Sequence, residues 1–218
     1  MTATDAFEKM LTPSERRLLA RLASPAKVQA FLDGLAYSHE EIYRCPLRVL
    51  RDRKAHCYDG AVLAAALLGR IGYPPLLVNL FPKSQGDDEH LLAVYRQRGA
   101  WGAVAKSNFV GLRSREPVYR TLRELVISYF EHYYNTAREK TLRSYTRPLN
   151  LAAFDRHEWL TRDETMDLIA ERLSAMRRTA VLTRRMIEGL SLMDDRSYRA
   201  GLAGSDPAGL FVPGAPER

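Results

Sequence analysis

Two cysteines and five histidines stand in the 218 residues of the chain, and one pair among them has the order and setting of a thiol catalyst. Cys57 precedes Tyr58-Asp59-Gly60 and the run Ala61–Leu68, an alanine-rich stretch apolar nearly all round. That pattern predicts a central helix with Cys57 at its N-terminus. A thiol there meets unpaired N–H groups and the positive end of the helix dipole, which favour thiolate and lower a pKa ordinarily near roughly 8.5. Its backbone N–H is the candidate donor to an oxyanion. Nucleophilic catalysis then needs a base within hydrogen-bond reach and a third group that holds the base in one tautomer.

His90 is the expected base. It opens the apolar strand pattern His90–Tyr95, where alternation puts it on one face with Leu92 and Val94, the face expected to meet the central helix. Asp87, Asp88 and Glu89 precede it and would favour an imidazolium if they turn toward it. The third group follows from the hairpin to Trp101–Ser107. A two- or four-residue turn centred on Arg98-Gly99 sets Ser107 opposite His90, whereas a three-residue turn, Arg98–Ala100, sets Asn108 there. The longer amide side chain of Asn108 makes it the preferred orienter and Ser107 the second.

The rival assignments are weaker. His56 adjoins Cys57, but consecutive helix residues point about 100° apart, which suits it to flank the site rather than share a proton with the sulfur. His39, His132 and His157 are isolated and read as surface or packing residues. Cys45 reads as structural, and a Cys45–Cys57 disulfide does not suit the cytoplasmic setting expected below. Zinc on His56, Cys57, Asp88 and His90 would lack paired ligand spacing, and the glycines form no phosphate-cradling loop, so neither metal nor cofactor is expected. Trp101 reads as core, and the Tyr129, Phe130, Tyr133, Tyr134 cluster as packing or a cleft wall.

These residues resemble the transglutaminase-like branch of the papain-like cysteine enzymes. The resemblance rests on Cys57 opening the Ala61–Leu68 helix, the Gly72-Tyr73-Pro74-Pro75 break into a strand, His90 opening a strand, and Gly99-Ala100-Trp101 before the next. It spans Arg53 to Phe109, and the flanks from Arg113 to Trp159 are similar to bacterial transglutaminase-like proteins. It implies an α+β sandwich in which a helix-borne Cys, a strand-borne His and a carboxylate or amide from the following strand perform thiol acyl transfer, with an aromatic near the position of Trp101 beside the reacting groups. The family supplies an aspartate soon after the tryptophan. Here the stretch reads Trp101-Gly102-Ala103-Val104-Ala105-Lys106-Ser107-Asn108, with no acid, and an asparagine there resembles the papain-type triad.

The elements that must position these groups divide the chain into a helical lead-in (1–55), a core (56–112), a C-terminal helical extension packed on it (113–199) and a tail (200–218) expected to be disordered, all one globular unit. Thr12-Pro13-Ser14-Glu15 and Ser24-Pro25 each place a capping hydroxyl before a proline at the first helical position. The expected architecture is therefore α+β: a Cys-bearing helix against a small antiparallel sheet, with helical additions at both ends. Met166, Ile169, Leu173, Met176, Ala180, Thr183, Ile187 and Leu190 form a heptad-like seam that predicts a long helix over 163–190, packed on the core or, as the sharper reading, making a homodimer.

Composition excludes other classes. With 46% hydrophobic and 27% charged residues the chain is neither disordered nor a disulfide scaffold. It carries no apolar run near the roughly 20 residues that span a bilayer and no leader pattern at Met1–Asp5, so a cytoplasmic protein without a membrane partner is expected. A net charge of +7 favours acidic partners without naming one, and nucleic acid is not the expected partner. The leading expectation is cysteine-dependent acyl transfer or hydrolysis on a peptide, protein or other amide or ester by Cys57, His90 and Asn108. The alternative is a catalytically silent domain that binds a partner through its basic surface or C-terminal helix.

Overall fold

The computed structural model describes residues 3–40 and 42–213; of the tail expected to be disordered, 200–213 is ordered, with the end of a helix and a 3-10 turn at Pro207–Gly209, and 214–218 lie outside the described residues. Helices α1 (Ala3–Met10), α2 (Pro13–Arg21) and α3 (Pro25–Asp33) lead in, followed by strand β1 (Ala36–Tyr37), α4 (Pro46–Asp52) and β2 (Lys54–Ala55), which pairs parallel with β1. The hydroxyl–proline starts act as read: Thr12 and Glu15 close a capping box on α2, and the Ser24 hydroxyl accepts from Lys27 N–H on α3. Next come α5 (Cys57–Arg70), β3 (Leu76–Pro82), β4 (His90–Gln97) and β5 (Ala100–Val104). The remainder contains β6 (Arg115–Tyr119), α6 (Leu122–Ile127), β7 (Leu142–Thr146), β8 (Leu149–Asn150), α7 (Glu164–Ser174), β9 (Arg178–Ala180), α8 (Arg184–Glu188) and α9 (Asp195–Gly201).

The fold is α+β. Seven strands form one antiparallel sheet in the order β6-β5-β4-β3-β7-β9, with β8 also pairing β3. Residues 113–199, expected as a helical extension, thus contribute four of the strands. Their patterns, Leu142-Arg143-Ser144-Tyr145-Thr146 and Arg178-Thr179-Ala180, are too polar to read as buried strands. They become strands by pairing: β7 meets the edge of β3, whose backbone groups need partners in a buried sheet, and β9 in turn meets β7.

The same pairing breaks the long C-terminal helix. α7 stops at Ser174 and the chain returns to the sheet as β9, paired with β7, before the separate short α8. Met166, Ile169, Leu173 and Met176 are buried in the protein's own core, so the first half of the seam packs inward, while Ile187 is exposed on α8.

α5 covers one face of the sheet, chiefly against β4. Leu91, Ala93 and Tyr95 share a buried cluster with Ala61–Leu68, whereas Leu92 and Val94 join Leu125, Val126, Tyr129 and Tyr133 on the other face. The expectation that Leu92 and Val94, with His90, would meet the central helix is therefore corrected: that face meets α6 and the tyrosines after it. Alternation alone tells which residues share a face, not which layer covers it. Among the described residues no helix is long and apolar enough to cross a membrane.

Gly60 sets how closely α5 approaches the chain leaving β5. A Cβ there would lie 2.3 Å from Lys106 Cβ. Gly60→Ala is expected to cost about 1–3 kcal/mol as the two segments are forced apart. Calorimetry should show Tm lower by roughly 3–10 °C for a chain of this size, and an unchanged Tm would contradict the close approach.

Candidate active site

The N-terminus of α5 is held from below. His56 is its N-cap: Nδ1 accepts from Tyr58 N–H at 3.1 Å, and Nε2 lies 3.2 Å from the Ile42 carbonyl, to which it must donate. Burial lowers its pKa, so the ring is neutral, with both nitrogens committed to structure. Asp59, one turn in, is fully buried and accepts from Arg44 N–H at 2.9 Å and Arg44 Nη1 at 3.2 Å. Arg44 is itself fully buried, donates to Ser38 Oγ at 3.2 Å, and pairs with Glu40 and with Asp52 at 3.4 Å. Burial pushes the Asp59 carboxyl up, opposed by His56 and the Arg44 guanidinium.

That clamp delivers Cys57 to the start of β4. Its side chain is half-buried, and its thiol donates to the Glu89 carbonyl at 3.5 Å. His90 is buried, with the rings of Tyr129 and Tyr133 at 6.5 and 6.3 Å between centroids. Its Nε2 lies 2.8 Å from the Leu112 carbonyl, supplied by the 3-10 turn Val110–Leu112. A carbonyl only accepts, so Nε2 carries the proton and Nδ1 keeps its lone pair. Cys57, His90, Ser107 and Asn108 line one cavity with Tyr37 and Tyr133, and about 40 Å³ of it is open, enough for a few waters.

The third group is not the one the hairpin suggested. Arg98 and Gly99 form a two-residue turn, both with positive φ, and the ladder has the register that would set Ser107 opposite His90. It ends, however, at Ala93↔Val104. Gln29 takes both backbone groups of Ala105 at 3.0 Å each, and Lys106 Nζ donates to the carbonyls of Leu32 and Leu35 at 3.0 and 2.6 Å, drawing the chain toward the end of α3. The Ser107 hydroxyl accepts from Phe109 N–H, and the Asn108 amide bonds the main chain of Asp206 in both directions, at 2.8 Å each. The imidazole is instead held by a backbone carbonyl, which no side-chain pattern signals.

His56 and Trp101 stand apart from this cavity. Trp101 lies on β5 opposite Tyr119, with the Arg96 guanidinium 5.3 Å over its ring. Cys45 is buried just before α4, its N–H bonded to Asp163 at 2.8 Å, and both cysteines are free thiols.

The electrostatics also depart from expectation. Burial lowers His90 to about 4, with Arg115 acting in the same direction and the Leu112 bond against it. Burial, then the carboxylates of Asp88 and Asp59, pushes the Cys57 thiol up to about 12. The pair therefore rests as neutral thiol and neutral imidazole, where a helix start and an acidic loop suggested thiolate and imidazolium. Desolvation outweighs the backbone hydrogen bonds from Tyr58 and Leu91 that lower the thiol, and two of the loop side chains that line the cavity are bonded to other groups: Asp87 accepts from the Thr141 hydroxyl at 2.6 Å and Glu89 from the Asn79 amide at 2.5 Å. Burial raises Asp87 to about 7.

No family model and no curated protein matches the chain. Among solved structures it is similar to LapG of Legionella pneumophila, with 10% identity, a TM-score of 0.42, and coverage of 76% of this chain and 98% of that one. It is also similar to the EGTA-treated form of that protein, with 12% identity, a TM-score of 0.41 and the same coverage, 76% and 98%. At that level of likeness the reading of the site rests on this chain's own geometry.

Two stability measurements check the arrangement. The folded pKa of His90 lies below its unfolded value, so its contribution is present above about pH 6.5 and is lost as pH falls toward 4. Urea unfolding at pH 7 and pH 4.5 should show His90→Gln losing on the order of 2 kcal/mol less than wild type across that interval, and equal losses would contradict a buried neutral imidazole. Arg44→Met alone should cost about 3–5 kcal/mol by stranding Asp59, and Arg44→Met with Asp59→Leu should recover most of it. A double variant no better than the single one would show that the charge pair is not what the single change disturbs.

Proposed function

We propose that the chain is an enzyme of transglutaminase-like fold that performs cysteine-dependent acyl transfer or hydrolysis at an amide or ester bond. The observation that carries this reading is that Cys57 and His90 line one cavity while Leu112 fixes the proton on His90 Nε2 and leaves Nδ1 as the acceptor. Nδ1 takes the thiol proton as sulfur bonds to the substrate carbonyl carbon, and the Cys57 N–H at the first position of α5 is the oxyanion donor. The tetrahedral adduct expels the amine or alcohol, which leaves with the proton from Nδ1. Water or an amine, deprotonated at the same nitrogen, then attacks the thioester carbonyl, and the second adduct expels the Cys57 sulfur, which takes that proton back from Nδ1. Leu112 replaces Asn108 as the group that orients the imidazole. A neutral carbonyl supports an imidazolium less than a carboxylate does, so the proton transfer is concerted with attack rather than completed beforehand.

A second reading, a silent binding domain, is favoured by the neutral resting state of Cys57 and His90 and by the small open cavity. An activated acyl donor separates the two. With p-nitrophenyl acetate, peptide mapping should find the acetyl group on Cys57, absent in Cys57→Ala and formed at least about 100-fold more slowly in His90→Ala. Equal labelling rates in wild type and His90→Ala would leave an ordinary thiol and favour the binding domain.

A further inference from the structure

The chain covers its own candidate site. Gly209 and Phe211 line the same cavity as Cys57 and His90, although this stretch follows α9 by only a few residues. Its contacts read main chain. Asn108 donates to the Asp206 carbonyl and accepts from its N–H, and the Thr136 hydroxyl donates to the Phe211 carbonyl at 3.0 Å. The Asp206 carboxylate is turned onto its own Ala208 N–H, where it caps the 3-10 turn Pro207–Gly209. At Gly209 a side chain would not fit: a Cβ would lie 2.6 Å from the Tyr37 ring and 3.1 Å from Asn108 Nδ2.

A glycine in the left-handed conformation separates the segment from the helix before it. α9 is anchored by the Arg138–Asp195 ion pair at 2.9 Å and by Arg138 stacked 4.9 Å from the centre of the Tyr198 ring. Between that anchor and Asp206 lies Gly204, whose φ of 73° is the left-handed conformation that glycine adopts without strain, with nothing within 4 Å of where a Cβ would sit.

We infer that Asp206–Phe211 is a tethered occupant of a peptide-binding groove: the groove takes a turn of polypeptide, reads its main chain through Asn108 and Thr136, admits glycine alone against Tyr37, and binds substrate in competition with the tether. The inference rests on the reading of this cavity as the active site and names its substrate class as polypeptide. A tethered competitor acts at an effective concentration on the order of millimolar, so free peptide engages the closed protein poorly.

The test uses the full chain with Cys57→Ser, so that nothing is turned over, and a fluorescein-labelled peptide, Ser-Asp-Pro-Ala-Gly-Leu-Phe, followed by anisotropy. Gly209→Glu, which cannot sit under Tyr37, and Asp206→Pro, which removes the N–H donated to Asn108, should each bind the peptide at least tenfold more tightly than the chain with its native segment. A peptide with valine in place of its glycine should bind at least tenfold more weakly to both. Equal affinity in all three proteins, or no saturable binding to variants whose circular dichroism is native, overturns the proposal. Should either variant fail to fold, hydrogen exchange on the unmutated segment decides: excess peptide should speed exchange of the Asp206 amide, and no change overturns the competition. Peptide binding without acyl labelling of Cys57 would leave a groove that binds and does not react. Labelling without peptide binding would remove only the polypeptide class.

Discussion

The arrangement around Cys57 depends on one buried ion pair. Arg44 and Asp59 are both fully buried, which is tolerable only because the carboxylate accepts two hydrogen bonds from Arg44 and the guanidinium also reaches Ser38, Glu40 and Asp52. The pair joins the loop before α4 to the first turn of α5. Through it the position of the thiol becomes a consequence of folding the lead-in, so the lead-in belongs to the site even though, among the described residues, Tyr37 is its only one in the cavity wall. His56 completes the constraint by capping the helix with one ring nitrogen and bonding Ile42 with the other.

A second constraint decides what the imidazole meets. The β4–β5 ladder stops at Val104 because Gln29 and Lys106 tie the following residues to α3, and Gly60 lets α5 pack against that departing strand. Two consequences follow from the one departure. Ser107 and Asn108 reach the cavity wall without pairing with His90, and the turn at Val110–Leu112 comes close enough for its carbonyl to do so. Asn108, released from that role, is the group that holds Asp206.

Under the proposed function, burial has opposite effects on the site. It fixes one imidazole tautomer and keeps Cys57 and His90 neutral, which suppresses stray thiol chemistry, but it also removes the solvent that would stabilise charge as the proton moves. In that reading an approaching substrate supplies the change: displacing the segment over the cavity replaces one set of main-chain contacts by another, with the oxyanion and the imidazolium developing together.

The sequence by itself determined the local events. Helix starts at Thr12 and Ser24, the alanine-rich helix behind Cys57, the Arg98-Gly99 turn and the strand beginning at His90 follow from capping, propensity and turn chemistry, each settled within a few residues. Tertiary structure decided everything that needed a partner distant in the chain. Which face of β4 meets α5, the recruitment of Leu142–Thr146 and Arg178–Ala180 into the sheet, the latter breaking the helix expected over 163–190, the Leu112 carbonyl on His90 and the Asp206–Asn108 pairing all join segments with no shared local pattern. A backbone carbonyl has the same chemistry at every residue, so only the packed chain can select the one at Leu112. The neutral state of the Cys57–His90 pair is likewise a product of packing, since desolvation is set by what surrounds a group and not by its neighbours in sequence.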